Sequence, residues 1–367
     1  MGIKYVEEFR DPTISRRISE NIHSISKKPV RLMEVCGTHT MSIFRHGIRS
    51  LLPHTISLLS GPGCPVCVTA QKEIDAFIEI ARLEDVIVAT FGDLMRVPGS
   101  ESSLQNERAK GQDVRVVSST FDAIRISRDH PDKKVVFAGV GFETTAPTVA
   151  ATIATGRVEN LKNFFVYSSH KRLPPALFAL MENHEIRVDG LILPGHVSAI
   201  IGIEAYRPFF NAYHIPCVVA GFEPLDILQA IFLLISQIEK NEPTIVNAYK
   251  RAVNSKGNPK AQSIMDHVFA RSDGEWRGLG TIKKSGLKMR ETFADFDAEK
   301  MLTFHVSRSK EPKGCACGEI LTGVKLPSDC PLYKKVCTPT APAGPCMVSS
   351  EGTCAAFYRY NDNLKEL

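Results

Sequence analysis

Short, almost wholly apolar runs punctuate the first two thirds of the chain. Each is followed by a polar or glycine-containing turn and then by residues whose apolar positions recur at helical spacing. A brief uninterrupted apolar run predicts a strand buried on both faces, and apolar residues at i, i+3 and i+4 predict an amphipathic helix. Strands are predicted on this basis at Val30 to Val35, His54 to Ser60 and Val86 to Thr90, from Val114, and from Lys134. Three more lie in the segments NFFVYSS, VDGLILP and IPCVVAG. Helices are predicted over residues 6–28, from near Met41, over TAQKEIDAFIEIARLE, up to about Arg128, and after the turns that follow the later strands. Asp226 to Tyr249 reads as helical with a break at Asn241 to Thr244, and a further helix runs from Pro259 to near Phe269. Residues 272–310 have a mixed pattern, and their Gly278-Leu279-Gly280 lacks the lysine and following helix of a phosphate-binding loop.

Repeated strand-turn-helix units predict an α/β fold with two tandem parallel-sheet domains, at residues 29–130 and 131–225. Residues 226–367 are expected to form a helical, cysteine-rich domain, with the N-terminal helices of residues 1–28 packed on it. At 367 residues the chain is too long for one ordinary core. Its 43% hydrophobic and 23% charged residues are those of a globular protein. The formal charge of +5 is spread thinly, with no basic run interleaved with aromatic residues, which excludes a nucleic-acid groove. The N-terminus lacks the apolar core of a signal peptide, and the longest apolar stretch, Ile227 to Ile238, is too short to span a membrane. The expected address is the cytoplasm, where ten cysteines point to metal ligands, redox couples or core residues more than to structural disulfides.

The chemistry-bearing residues fall in the turns. Cys36-Gly37-Thr38-His39 follows the first strand, at the sheet edge where open α/β folds place ligands; a buried thiol and a capping threonine would explain the same residues. Gly61-Pro62-Gly63-Cys64-Pro65-Val66-Cys67 follows the second strand. A Cys-x-x-Cys at a helix start is the arrangement that lowers a thiol pKa and permits dithiol–disulfide cycling, half a zinc site being the alternative. Asp93 and Arg96 follow the third strand, Glu143 and Thr144 sit in the turn 141–145, and His196 sits in Pro194-Gly195-His196-Val197-Ser198. Helix capping accounts for Glu143 and Thr144 taken singly, and a hydrogen-bonded turn for His196, whereas their recurrence at equivalent strand ends suggests one shared cleft. Cys217 reads as core.

Six of the ten cysteines lie between Cys315 and Cys354, among prolines and glycines with few apolar runs. Such a segment needs a staple. Structural zinc draws on close CxxC pairs, and the only close pair here is Cys315-Ala316-Cys317, so an iron–sulfur cluster seated by widely spaced thiolates is favoured. Chemistry alone does not choose four cysteines from six.

The ordered set CGTH, GPGCPVC, GFETT, PGHVS and the tail GCACGEIL to GTCAA resembles the HypD family of hydrogenase maturation proteins over nearly the whole chain. The resemblance implies a scaffold for assembling the iron centre of [NiFe]-hydrogenase, an iron carrying two cyanides and one carbon monoxide. It also implies a [4Fe-4S] cluster on the C-x12-C-x6-C-x16-C pattern, here Cys317, Cys330, Cys337 and Cys354, with Cys315 and Cys346 outside it. Implied partners are a small HypC-type chaperone and a HypE-type cyanide donor. The resemblance also implies a HypF-type carbamoyl transferase upstream and indirect service to the hydrogenase large-subunit precursor, with the protein itself expected to be a monomer. In this role Cys36 is expected to anchor the iron, Cys64 and Cys67 to supply or relay two electrons, and His39 to be a second ligand or proton donor. Thr38, Asp93, Glu143, Thr144 and His196 would shape the cleft. A cluster-dependent thiol–disulfide reductase and a structural zinc protein are the competing classes; a radical enzyme would need a compact CxxxCxxC, which is absent.

Overall fold

A computed structural model describes residues 7–306 and 309–361. Its strands, in chain order, are β1 (Val30–Glu34), β2 (Ile56–Ser60), β3 (Val86–Thr90), β4 (Val114–Val116), β5 (Lys134–Gly139) and β6 (Phe164–Ser168). They continue as β7 (Gly190–Pro194), β8 (Cys217–Ala220), β9 (Ile245–Asn247), β10 (Phe269–Trp276) and β11 (Gly280–Met289). β3, β6, β7 and β8 are buried at every residue, as strands covered by helices on both faces must be.

Two parallel sheets form, as the strand-turn-helix pattern predicts, but they divide the chain differently. One sheet has the order β2-β1-β7-β8-β9 and the other β4-β3-β5-β6. The chain therefore begins the first sheet, leaves it to build the whole of the second, and returns. The predicted boundary near residue 130 cuts through the second sheet, where β3 pairs with β5 (Ile87 opposite Val135). Sequential strands usually neighbour each other, and an insertion that breaks this rule leaves no mark in local pattern.

Three further differences follow from long-range contacts. The Pro12–Ile25 helix, capped by Asp11 Oδ1 on the Thr13 and Ile14 amides, packs on the Pro224–Lys240 helix at the start of the region 226–367, as expected, but that helix covers the first sheet instead of belonging to a separate cysteine-rich domain. Its Ile22 joins Ile227, Ile231 and Leu234 against the face of the first sheet; the part of that predicted helical region within residues 1–6 lies outside the described residues. Residues 245–247, read as a continuation of a helix, add edge strand β9, because Asn241 in a left-handed conformation (φ 56°) stops the preceding helix. The mixed stretch is an antiparallel hairpin, β10-β11, turned at Gly278 (φ 79°) and Gly280 (φ 69°). At its tip the Arg277 N–H donates to the Val68 carbonyl, and Gly278 lies against Gly318, so the hairpin joins the Cys-x-x-Cys loop to the cysteine-rich segment.

Candidate functional site

The first sheet changes direction between β1 and β7: the chain steps outward from β1 to β2 on one side and from β7 to β8 and β9 on the other. Such a switch point leaves a crevice at the carboxyl ends of the strands. Cys36, after β1, and His196, after β7, both line it, in a cleft of about 350 Å³ with Thr38, Thr144, Phe142 and Glu351. Backbone proximity builds the floor. The Gly37 N–H donates to the Gly63 carbonyl at 3.1 Å, and a Cβ on Gly63 would stand 2.0 Å from the Cys36 nitrogen. Only glycine lets the two loops meet.

Cys36 is 8% exposed and caps the Gly37–Arg45 helix. Burial, and then the neighbouring Glu351 carboxylate, push its thiol up to about 12, so an unliganded Cys36 is a neutral thiol. A bound cation reverses that balance. Glu351 accepts a 2.6 Å hydrogen bond from the Thr38 hydroxyl and is itself held above the usual carboxylate range by burial. It comes from the cysteine-rich segment and is the only charged residue between Cys346 and Cys354, the one sequence signal that could have singled it out.

Not every expected residue reaches the cleft. His39 is fully buried behind it, its Nε2 2.8 Å from the Gly221 carbonyl, with burial lowering its pKa to about 4. Its ring stacks on Phe222 with centroids 4.7 Å apart, and His196 stacks on the same Phe222 ring at 3.9 Å. His39 thus meets the cleft through its backbone amide, which hydrogen-bonds Cys36, and through the Phe222 ring that it shares with His196. Glu143 is buried at 1% exposure, and both its oxygens accept from the Leu173 N–H (3.1 and 3.2 Å), closing the start of the Leu173–Glu182 helix. Asp93 accepts from the Ser349 hydroxyl at 3.0 Å, and Arg96 donates to the Pro339 and Val348 carbonyls. The loop after β3 therefore clasps the cysteine-rich segment, and the Asp93 charge acts on Glu351 from outside the cleft.

Cys64 and Cys67 lie beneath the cleft, at 3% and 0% exposure. The Cys67 N–H donates to Cys64 Sγ at 3.3 Å. The helix they open is only Pro65–Val68, and burial holds the Cys67 thiol well above its ordinary value, so the dipole-lowered pKa expected from the motif is overridden. Cys67 leads onward: its thiol approaches the Pro345 carbonyl and hydrogen-bonds to Cys346, which also meets Cys354 and lies 2.8 Å, sulfur to sulfur, from Cys317.

Cys315, Cys317, Cys330, Cys337, Cys346 and Cys354 ring a small internal cavity. Cys315 Sγ faces Gly344, where a Cβ would stand 2.8 Å away, and the Cys315 and Cys354 thiols both act on Cys337. Among the described residues no group of three or more His, Cys, Asp or Glu converges as a single metal ion requires. No described helix is long and apolar enough to cross a membrane.

Comparison with known proteins agrees with these motifs. Residues 13–361 match the HypD family model, described as the hydrogenase formation hypA family. The chain is similar to the hydrogenase maturation factor HypD of Azotobacter vinelandii, 45% identical over 367 residues that cover 98% of this chain and 97% of the relative. The factor of the same name from Cupriavidus necator is 43% identical over 368 residues (98% and 97% covered). That from Escherichia coli K12 is 41% identical over 372 residues (99% and 100%).

Proposed function

The chain belongs to the HypD family, and from that premise we propose that it serves hydrogenase maturation as the scaffold on which the iron centre gains its diatomic ligands. The observation that carries this reading is the convergence of Cys36, Thr38, Thr144, His196 and Glu351 on one switch-point cleft, with the Cys64–Cys67 pair directly beneath. The iron with its cyanide and carbon monoxide is cargo. Cys36 offers it a soft thiolate, suited to low-spin iron, and the thiol proton leaves as the metal binds. A small HypC-type chaperone would share the iron, and a HypE-type donor would present a thiocyanate.

Release of cyanide from a thiocyanate consumes two electrons. The Cys64 and Cys67 thiols supply them on closing to a disulfide: R–S–CN plus two thiols gives R–SH, HCN and the Cys64–Cys67 disulfide. Cyanide then passes to iron with loss of its proton. Thr144 offers a hydroxyl donor at the cleft wall, and Glu351, to which the Thr38 hydroxyl donates, is placed to receive a proton.

The cysteine-ringed cavity suits an iron–sulfur cluster by its donors: Cys317, Cys330, Cys337 and Cys354, the set implied by the cysteine spacing, would hold it, and Cys317 also meets Cys315 and Cys346. When bound, such a cluster would supply electrons one at a time, and two electrons with two protons return the Cys64–Cys67 disulfide to the dithiol. Cys346 and Cys67 continue the run of thiols from Cys354 to the cleft floor.

Infrared spectra of the anaerobic protein, purified with its small partner, test the reading in the region of metal-bound cyanide and carbonyl stretches. Bands are expected in the wild type and lost in Cys36→Ala with cluster absorbance unchanged. Bands that persist in Cys36→Ala would remove Cys36 as the anchor. A wild type without bands, cluster and partner intact, would favour thiol–disulfide reduction of another protein.

A further inference from the structure

Beside the outer strand β2, away from the cleft, lies a cavity of about 410 Å³ between the strand and the loop 323–329. Its wall includes the guanidinium of Arg49. That group makes no hydrogen bond among the described residues, and its Nε is shut away from solvent. One face rests on the Phe44 ring, 4.7 Å from the centroid, which orients the fork without satisfying any of its five N–H donors. Glu34, the buried carboxyl whose charge acts on Arg49, does not hydrogen-bond to it: Glu34 Oε1 accepts from Thr40, and its buried Oε2 has no hydrogen-bond partner. A guanidinium placed so costs free energy until an acceptor reaches it.

The other charges of the cavity sharpen the reading. Lys325 is held by Glu319 at 2.6 Å, and Asp329 accepts from the Leu326 N–H, so both are committed within the loop. Arg31, on the neighbouring strand β1, has no side-chain partner among the described residues and faces the same space. Two uncommitted guanidinium groups thus stand over walls that include Leu58 and Leu326. A planar fork matches a carboxylate in two parallel hydrogen bonds, and the volume lies within the range of small-molecule sites.

We propose that this cavity is a binding site for a small organic carboxylate, its head on Arg49 and Arg31 and its short apolar body against Leu58 and Leu326. The site is independent of the iron-handling cleft, and its occupancy orders the loop leading to Asp329 and Cys330.

Butyrate is a suitable probe, with equal sodium chloride as the control, read by the thermal midpoint of the anaerobic full-length protein and by amide shifts at Ser57 and Gly323. Butyrate is expected to raise the midpoint saturably and to shift both amides. Apparent affinity should fall about tenfold or more in Arg49→Met, the equivalent of one charge-assisted hydrogen bond pair, and less in Arg31→Ala. Arg31 is half-buried at the surface, so the second variant serves even if the first folds poorly. A butyrate response equal to that of chloride, or one unchanged in both variants, would overturn the proposal, as would stronger Arg49-dependent binding of inorganic phosphate.

Discussion

Replacing Glu143 by glutamine separates a structural role from a cleft role by its pH dependence. Burial is the leading cause that raises the Glu143 carboxyl from 4.5 to about 7, with its own backbone N–H, the Arg172 charge and the Leu173 N–H only partly opposing it. Between those two values the native state holds a proton that the unfolded chain has released, so stability is full below about 4.5 and falls as pH rises toward 7 and beyond. The gap of about 2.5 pH units corresponds to roughly 3 kcal/mol at pH 8. Glutamine keeps an acceptor oxygen for the Leu173 N–H and has no proton to lose. The variant should therefore match the wild type near pH 4.5 and exceed it by up to about 3 kcal/mol at pH 8.

Chemical denaturation of both proteins at a series of pH values measures this difference. Glu34, raised to about 7, has the same slope, and His39, lowered to about 4, has the opposite one between 4 and 6.5; both cancel in the comparison because neither is altered. A wild-type-minus-variant difference that stays constant from pH 4.5 to 8 would refute the reasoning and return Glu143 to the list of charged cleft residues.

Two other substitutions probe the joins between loops. Gly63→Ala would place a Cβ within 2.3 Å of both the nitrogen and the Cα of Cys36, against backbone that cannot yield, and should cost about 3 kcal/mol or more; Gly280→Ala, in open space, should cost only the 1–2 kcal/mol of its positive φ. Equal shifts in the denaturation midpoint would contradict the close approach. After anaerobic reconstitution, Cys317→Ser should lose iron and labile sulfide while Cys315→Ser retains them, and the reverse result would overturn the ligand set implied by the cysteine spacing.

The legible and illegible parts of this protein differ by the range of the interaction that decides them. β1, β3 and β7 could be read from the sequence because an apolar run and a following glycine or proline turn are local facts. Cys36 and His196 could be placed at strand ends for the same reason. That they face each other depends on β1 pairing with β7, across about 160 residues of chain, with Glu34 opposite Ile192. Nothing near either strand encodes that pairing. The tail shows the same division: counting residues places cysteines along the chain, whereas the turn at Gly314 (φ 82°) and the short Cys317–Leu321 helix decide that Cys315 faces Gly344 and Cys317 faces Cys346. His39 and Glu143 were misplaced because a polar residue in a turn signals a ligand or a cap equally well. Burial separates the two, and burial is set by Phe222 and Leu173, residues whose sequence context carries no sign of the task. An orphan such as Arg49 is the converse case: invisible in a chain with 45 lysines and arginines, it becomes conspicuous only when its buried Nε is found without any hydrogen-bond acceptor, although the Glu34 charge acts on it.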